Sequence, residues 1–294
     1  MKTAAFADSR RSMSRWPSRW PLPCCGGSRA AGRAWAGEGR TMSAERSARR
    51  RQRSSQELIR PLEPRDREAV REIACRTAYR NRGAELLFED LELHADYWTA
   101  YYTDHYPDES FVIEQDGQVT GYFFGCPDHA AFTRVMARRI VPRVVGKALW
   151  RLATRQYERP QTGRYLRHMI LHGAREAPHL PYDRFPATFH CNILPGARGR
   201  GLYTTLVLAY LDRLEARGIT GIHAHVTEPA DSRGLWQRIA RAVPEMRVAA
   251  YDERPTRLFL AVLGDETPMI NRAWAFSLED FRKGVLWLRE RKGL

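Results

Sequence analysis

The hydrophobic pattern of the chain becomes regular near residue 57 and indicates a strand, a helix and then a hairpin. Leu58–Leu62 has the pattern of a short strand, and Asp66–Ala78 places its apolar residues at helical spacing. Ser110–Glu114 and Val119–Gly125 then flank an Asp116-Gly117 pair, which is a strong signal for a tight hairpin turn. A folded domain with antiparallel strands is therefore predicted to begin here.

Residues 128–185 are predicted to form a helical insertion with one apolar and one basic face. The apolar set is Phe132, Val135, Met136, Ile140, Val144, Val145, Ala148, Leu149 and Leu152, and the basic set is Arg134, Arg138, Lys147, Arg151 and Arg155. Pro142 is expected to kink or split the helix. Such a helix can lie on a membrane or bind an acidic partner, and it can equally pack on a sheet with its basic face in solvent.

Strands and helices alternate after the insertion. The predicted strands are 187–194, 222–226, 248–251 and 258–263, and the predicted helices are 203–217, 232–242 and 277–291. Gly218 is well placed to end the first of these helices. This order implies an α/β fold in which a mixed sheet carries helices on its faces.

The formal charge of +14 is unevenly distributed. Residues 1–56 contain 13 Lys/Arg and 3 Asp/Glu. Residues 128–185 contain 12 Lys/Arg and 4 Asp/Glu, and the rest of the chain is mildly acidic. This distribution disfavours a protein built around a surface that tracks phosphates. The first 56 residues lack hydrophobic periodicity, so we expect a disordered basic tail. A true start at Met42, an organelle transit peptide and a nucleic-acid-binding arm are three interpretations of it.

Cysteine and apolar usage favour a cytoplasmic protein. The five cysteines give neither a disulfide framework nor the paired CxxC spacing of a zinc site. We therefore expect no metal site, and plain core roles for Cys75, Cys126 and Cys191. Arg or Lys interrupts every apolar run before the roughly 18 residues that a membrane span needs, so no membrane partner is expected.

Pro195–Leu206 carries the main functional signal, because it is a glycine-rich loop between a predicted strand and a predicted helix. Glycines let the backbone approach a ligand closely, and a helix start offers unpaired N–H groups to an anion. No Gly-Lys-Ser/Thr follows, which excludes a P-loop, and the Gly-x-Gly-x-x-Gly fingerprint fails at Thr204. The loop is therefore predicted to hold a pyrophosphate in a different way.

The segment Arg198-Gly199-Arg200-Gly201-Leu202-Tyr203 resembles the signature Gln/Arg-x-x-Gly-x-Gly/Ala of the GNAT acetyltransferases, with Tyr203 in place of the final small residue. The resemblance covers residues 57–264, with 128–185 as its least typical part and 265–294 as a helical extension. It implies a GNAT fold with a mixed central sheet of about six or seven strands. Residues 185–195 and 221–226 are also similar to bacterial relatives of the acetyltransferase-like domain of O-GlcNAc hydrolases.

The resemblance implies that acetyl-CoA is the co-substrate and that it binds where two parallel strands splay apart. The backbone of Asn192, Ile193 and Leu194 would pair with the pantetheine arm, and the amide of Leu194 or of a neighbour would polarise the thioester oxygen. The pyrophosphate would be held by amides of Arg198, Gly199, Arg200, Gly201, Leu202, Tyr203, Thr204 and Thr205.

Acetyl transfer also needs a base for the amine. His190 and His225 lie on the two adjoining strands, and a neutral imidazole suits this role directly or through water. Glu228 is a third candidate because it lies at the end of its strand. A histidine on a strand can also be a core residue with its hydrogen bonds satisfied.

The departing sulfur is the second proton-transfer site. The family's usual acid is a tyrosine that aligns here with Trp236, and an indole has no proton of useful acidity. Tyr203, Tyr251 or water would have to substitute.

The sequence thus predicts transfer of an acetyl group from acetyl-CoA to a primary amine whose identity cannot be read from it. The arginine-rich insertion is interpreted either as a lid that favours an acidic acceptor or as a solubilising surface. A catalytically weak acetyl-CoA-binding module and a nucleic-acid-binding protein that uses its basic tail are the alternative functions. A homodimer is one candidate oligomeric state.

Overall fold

A computed structural model describes residues 57–232 and 234–291, which lie in one compact unit. The predictions on the first 56 residues, including the start at Met42, lie outside this range.

The described residues contain seven strands and nine α-helices. The strands are β1 (Glu57–Pro61), β2 (Ser110–Gln115), β3 (Gln118–Cys126), β4 (Thr188–Ile193), β5 (Gly221–Pro229), β6 (Ala250–Thr256) and β7 (Met269–Ser277). The helices are α1 (Arg67–Asn81), α2 (Leu91–Ala100), α3 (His129–Val135), α4 (Val141–Ala153), α5 (Pro160–His172), α6 (Leu202–Ala216), α7 (Leu235–Ala242), α8 (Leu258–Leu263) and α9 (Leu278–Arg291). The predicted α/β fold class is confirmed.

The strands form two antiparallel sheets, ordered β1-β2-β3-β4 and β5-β7-β6. A parallel bridge between Ala187 and Ile222 joins them. Two hydrogen bonds support it, from the Ala187 N–H to the Gly221 carbonyl at 3.3 Å and from the His223 N–H to the Ala187 carbonyl at 2.8 Å. No ladder joins β4 to β5 beyond this point in the described chain, so the two strands diverge from a common origin.

The β2–β3 hairpin is confirmed. Asp116 has φ 51° and Gly117 has φ 78°, which is the pair of positive angles that a two-residue type I′ turn requires. On β3, Tyr122, Phe123 and Phe124 are all fully buried. The second half of this strand is therefore covered on both faces, which explains why residues 121–126 include no charged side chain.

A hydrophobic core lies on each face of the sheets. On one face, α6, α7 and α9 contribute residues such as Tyr210, Trp236 and Phe281. On the other face, α1 and the segments flanking α2 and α4 pack residues such as Val70 and Tyr102 against β3. Each fully buried large apolar side chain contributes about 1.5–3 kcal/mol to stability, so the two cores fix the orientation of β4 between them.

The insertion is a split helix, as Pro142 predicts. A π-helical turn at Met136–Ile140 separates α3 from α4, and Pro142 lies in the first turn of α4, where its missing N–H costs least. The predicted faces change after the turn. Leu149 and Leu152 are exposed, whereas Arg151 packs inward and its guanidinium binds Asp90 at 2.7 Å. The π-turn adds a residue to one turn of the helix and so rotates the faces that follow it.

Two predictions near the end of the chain are wrong. Leu258–Leu263 forms α8, not a strand, because periodicity cannot assign a six-residue apolar run and Gly264, at φ 73°, ends it as a helix cap. Residues 265–294 are not a helical extension alone. They include β7, which pairs with β5 on one side and β6 on the other and is the central strand of its sheet.

Candidate active site

The glycine loop leads from the end of β4 into the start of α6. Pro195–Ala197 makes one 3₁₀ turn, and Gly199 and Gly201 then have φ of 95° and 77°. Such angles favour glycine over any residue with a Cβ atom. Gly201 is the N-cap of α6 and has no side chain to cap it, so the first-turn amides of α6 lack intrahelical partners. This is the geometry of an anion site.

A cavity of about 260 Å³ lies at this junction. It is lined by Cys191, Asn192, Ile193, Ala197, Arg198, Gly199, Gly201, Leu202, Tyr203 and Thr204. Most of the predicted cofactor residues are thus brought together in one place. Leu194, Arg200 and Thr205 are outside the lining set, and the latter two are exposed.

Arg198 acts as a clamp within the protein. Its Nε donates to the carbonyl of Ile193 at 2.7 Å, and its Nη2 donates to Oδ1 of Asn81 at 2.7 Å. Asn81 ends α1 with φ 67°, a left-handed angle that asparagine tolerates better than most residues. The side chain of Arg198 therefore fixes the loop to β4 and α1, a role separate from the one that the sequence predicted for its backbone amide.

The free edge of β4 faces the gap towards β5. The Leu194 N–H donates to the Thr120 carbonyl at 2.9 Å, which places that residue in the ladder with β3. Because successive residues of an antiparallel strand alternate between the two edges, the backbone groups of Phe189, Cys191 and Ile193 point into the gap. Their amides are the ones that an extended ligand would meet.

The backbone of Asn192, like that of Leu194, faces β3, so neither can pair with a ligand in the gap as the sequence predicted. The sequence assigned the thioester oxygen to the amide of Leu194 or of a neighbour, and the geometry favours a neighbour over Leu194. The Leu194 N–H is engaged by Thr120 and cannot polarise a thioester without breaking the sheet. The amides of Cys191 and Ile193 have the required direction instead. Burial raises the pKa of the Cys191 thiol to about 12, so this residue remains a neutral thiol at the edge of the cavity.

His190 lies in an aromatic cluster on the face of β4 opposite to the side chain of Cys191. Its ring is 5.6 Å from the ring of Trp98 and 5.5 Å from that of Tyr122, measured between centroids. Burial lowers its pKa to about 4, so the imidazole is neutral near pH 7. Its Nδ1 is buried and has no hydrogen-bond partner among the described residues. Its Nε2 is 3.4 Å from the side-chain nitrogen Nδ2 of Asn192.

His225 belongs to a second aromatic cluster, on β5. Its ring is 5.2 Å from His223 and 6.2 Å from Tyr182, and Tyr182 stacks on His129 at 3.9 Å. His223 donates from Nδ1 to the carbonyl of Phe185 at 2.7 Å, which accounts for its burial. The side chain of His225 is exposed. Partial desolvation, and secondarily His129, lower the pKa of His225 below its ordinary value.

Glu228 has a different role from the one that the sequence indicated. Its carboxylate accepts from Nη1 of Arg272 at 2.7 Å, and both residues are buried. Arg272 also donates to the carbonyls of Ala230 and Ser232, so the pair holds the turn that follows β5. Gly234 lies against the Glu228 carboxylate, where an added Cβ would be 2.3 Å from an oxygen. Glu228 is thus a paired structural anion.

Trp236, Tyr251 and Tyr203 lie in three different environments. Trp236 is buried and packs on Phe281 with ring centroids 4.4 Å apart, so it is a core residue. Tyr251 is exposed, and its hydroxyl donates to Glu253. Tyr203 lines the cavity, and burial raises the pKa of its phenol above the usual value, which keeps the proton on the hydroxyl.

Sequence reasoning missed several of these residues. Trp98 lies on α2, a helix that the pattern did not predict, and His129 and Tyr182 lie within the insertion. Asn81 carries no sequence signal, because its role depends on the break that ends α1. Among the described residues, no group of His, Cys, Asp and Glu could hold a metal ion, and no helix is long and apolar enough to cross a membrane.

The chain matches several solved structures at low identity. It is similar to a protein named SsHAT, with 22% identity over 76% of this chain and 98% of that one and a TM-score of 0.48. An N-acetyltransferase from Staphylococcus aureus Mu50 is 13% identical over 76% of this chain and 99% of that one, with a TM-score of 0.39. The protein yncA from Salmonella typhimurium, solved with its cofactor acetyl-CoA, is 15% identical over 76% of this chain and 94% of that one, with a TM-score of 0.40. No protein-family model matches the chain.

Proposed function

We propose that this protein is an acetyl-CoA-dependent N-acetyltransferase of the GNAT type, with a primary amine as acceptor. The observation that carries the proposal is the divergence of β4 from β5 beside a glycine loop that opens α6. This arrangement combines an unpaired strand edge with a helix N-terminus at one cavity. A ligand with a diphosphate and an extended amide-bearing arm fits both features.

The residues present fit acetyl-CoA in two ways. The loop amides from Gly199 to Thr204 offer hydrogen-bond donors and the positive end of the α6 dipole to the diphosphate. The gap-facing N–H and carbonyl of Cys191 and the N–H of Ile193 can pair with the pantetheine amides as an added strand would, while the Ile193 carbonyl is engaged by Arg198. A cavity of about 260 Å³ suits the diphosphate region, and the remainder of the molecule would follow the open gap.

When bound, acetyl-CoA supplies an acetyl thioester. The residues around the gap would provide a base for the amine, a proton for the sulfur and a hydrogen-bond donor for the thioester oxygen. The amine nitrogen bonds to the acetyl carbon while the C–S bond breaks. We assign His225 to accept the amine proton, because its imidazole is neutral and exposed on the strand that borders the gap. His190, whose Nδ1 is buried, would act through a water or orient the acceptor.

The sulfur leaves as a thiolate and takes a proton from Tyr203 in this assignment. Tyr203 lines the cavity, and its raised pKa keeps the phenol protonated. The amide of Ile193 or of Cys191 would polarise the thioester oxygen, since both point into the gap. These roles replace those predicted for Leu194 and Glu228.

A binding module without catalysis is the second candidate, and Trp236 favours it. The position that aligns with the family's acid is occupied by a buried indole, so the acid must come from elsewhere. The two candidates share the acetyl-CoA site and differ in turnover.

A thermal-shift titration of the full chain with acetyl-CoA and with CoA tests the site first. A ligand that binds only the folded state raises its melting temperature in a saturable manner. We expect that rise with both ligands, and its absence at millimolar concentration would reject the proposed function. Release of free thiol from acetyl-CoA in the presence of a panel of primary amines then separates an enzyme from a binding module.

A further inference from the structure

The exposed surface of α3 and α4 combines unpaired positive charge with apolar side chains. Arg134, Arg138, Arg139 and Arg143 are exposed, and none forms an ion pair with another residue in the described range of the chain. About two to five turns farther along the same helical segment, Trp150 is 67% exposed, and Leu149 and Leu152 are also exposed. We call these seven residues the α3–α4 patch.

The charge of the patch contrasts with that of its neighbours on α4. Lys147 and Arg151 point towards α2, where they bind Glu92 at 3.1 Å and Asp90 at 2.7 Å respectively. The basic residues that could be neutralised within the protein are thus neutralised. The arginines of the patch remain directed to the outside.

Part of the patch forms a stripe along one side of the helix, whereas Leu149 and Leu152 lie about 100° and 160° around the axis from Trp150. Arg139, Arg143, Gly146 and Trp150 are separated by four, three and four residues, which places them on one face. Gly146 is exposed, and an added Cβ there would meet nothing within 4 Å, so the stripe is open along its length. At about 1.5 Å per residue, Arg139, Arg143 and Trp150 lie within roughly 17 Å of one another along the axis.

The occupant of this surface must be acidic and external. The N-terminal 56 residues carry 13 Lys/Arg against 3 Asp/Glu, so they have the same sign of charge as the patch. A second copy that presented the same patch would be repelled for the same reason. Nucleic acid and acidic protein match the charge, but a phosphate backbone offers no apolar surface for Leu149, Leu152 and the body of Trp150.

We propose that the α3–α4 patch docks on an anionic lipid bilayer surface. Arginines next to exposed tryptophan and leucine match a bilayer interface, where phosphates lie above the acyl boundary. Tryptophan is favoured at that depth because its ring is apolar and its N–H is polar. The inference differs from the expectation of no membrane partner, which rested on the absence of a spanning segment. It is independent of acetyl transfer.

Flotation of the full chain with lipid vesicles tests the proposal. Vesicles of phosphatidylcholine alone are compared with vesicles that also contain phosphatidylglycerol, at the same salt concentration. We expect binding to the anionic vesicles, reduced about 10-fold by Trp150→Ala and at least about 30-fold by Arg139→Glu/Arg143→Glu. The basic N-terminal segment is present in every variant, so it cannot produce these differences.

Matched controls lie on the other face of the sheets. Leu286→Ala removes an apolar side chain from α9 that is exposed to the same extent as Leu152, and Arg238→Glu/Arg241→Glu reverses two exposed charges on α7. Neither control should change vesicle binding by more than about 2-fold, apart from the general effect of net charge. Equal losses in patch and control variants would overturn the proposal. The melting temperature of each variant checks that it is folded.

Tryptophan fluorescence provides a readout specific to Trp150. Lipids brominated on their acyl chains should quench part of the emission of the wild-type protein, and Trp150→Phe should remove that part although the chain holds eight tryptophans. Binding that is charge-dependent but unaffected at Trp150 would indicate a polyanion such as nucleic acid or an acidic protein, and would reject the lipid surface.

Discussion

Arg198 and Asn81 are joined by a hydrogen bond of 2.7 Å, from the guanidinium Nη2 to the side-chain oxygen. The bond links the glycine loop to the broken end of α1, across more than a hundred residues of sequence. The same guanidinium donates to the Ile193 carbonyl, so one side chain fixes the loop relative to the free edge of β4. The shape of the proposed cofactor site depends on this connection.

We expect Arg198→Ala to weaken acetyl-CoA binding about 10-fold, because the loss of two charge-assisted hydrogen bonds frees the loop. Asn81→Ala should weaken it less, since the bond to Ile193 remains. The double variant should bind no more weakly than Arg198→Ala, as Asn81 acts through Arg198. Isothermal titration calorimetry measures the three affinities. Strictly additive losses would show that the two residues act separately.

The conformation of Gly201 leads to a prediction with a close internal control. Gly201→Ala places a Cβ on a residue at φ 77°, which costs about 1–2 kcal/mol and shifts the first turn of α6. We expect a lower melting temperature and weaker acetyl-CoA binding. Gly196→Ala should change neither, because a Cβ there meets nothing within 4 Å and its φ is not positive. If both variants bind acetyl-CoA with similar affinity, the loop is not part of the cofactor site.

The two histidines are expected to differ in their kinetic effects. His225→Gln should lower kcat/KM for the amine about 10²–10⁴-fold without changing acetyl-CoA affinity, because it removes a general base. His190→Gln should have a smaller effect on kcat/KM. With the pKa of His190 lowered to about 4, that effect should also be constant between roughly pH 6 and 9. A larger loss for His190→Gln than for His225→Gln would reverse the assignment.

Tyr203 and Tyr251 allow a matched test of which residue protonates the departing sulfur. We expect Tyr203→Phe to lower kcat about 10²-fold while acetyl-CoA affinity is retained, since only the phenolic proton is lost. Tyr251→Phe should leave kcat unchanged, because its hydroxyl is exposed and bound to Glu253. Steady-state kinetics with one amine acceptor separates them. If neither variant is slower, the thiolate leaves unaided or is protonated by water.

Glu228 is predicted to affect stability and not the rate of the folded enzyme. Glu228→Ala leaves the buried Arg272 without its closest carboxylate and should cost about 2 kcal/mol or more. Glu253→Ala removes the more exposed partner of the same arginine and should cost less than about 1 kcal/mol. Urea unfolding measures both free energies. Loss of activity by Glu228→Ala under conditions where it remains fully folded would restore Glu228 as a candidate base.

Local sequence signals determined the elements in which the backbone conformation depends on nearby residues. The Asp116-Gly117 turn was predicted because a type I′ turn requires two positive φ angles, which these residues adopt readily. The glycine loop before α6 was predicted because glycines let the backbone approach a ligand closely, and Pro142 marked the split of the insertion helix. The α/β class followed from the alternation of strands and helices.

Tertiary structure decided what depends on partners distant in the sequence. The apolar run Leu258–Leu263 fits a strand or a helix equally well, and only its packing as α8 resolves it. Leu194 and Glu228 both lie in or near the predicted site, yet their hydrogen bonds go to Thr120 and Arg272. A motif fixes the order of residue types along the chain. Which donors stay free for a ligand depends on the sheet register and on buried ion pairs, and these form only when the chain has folded.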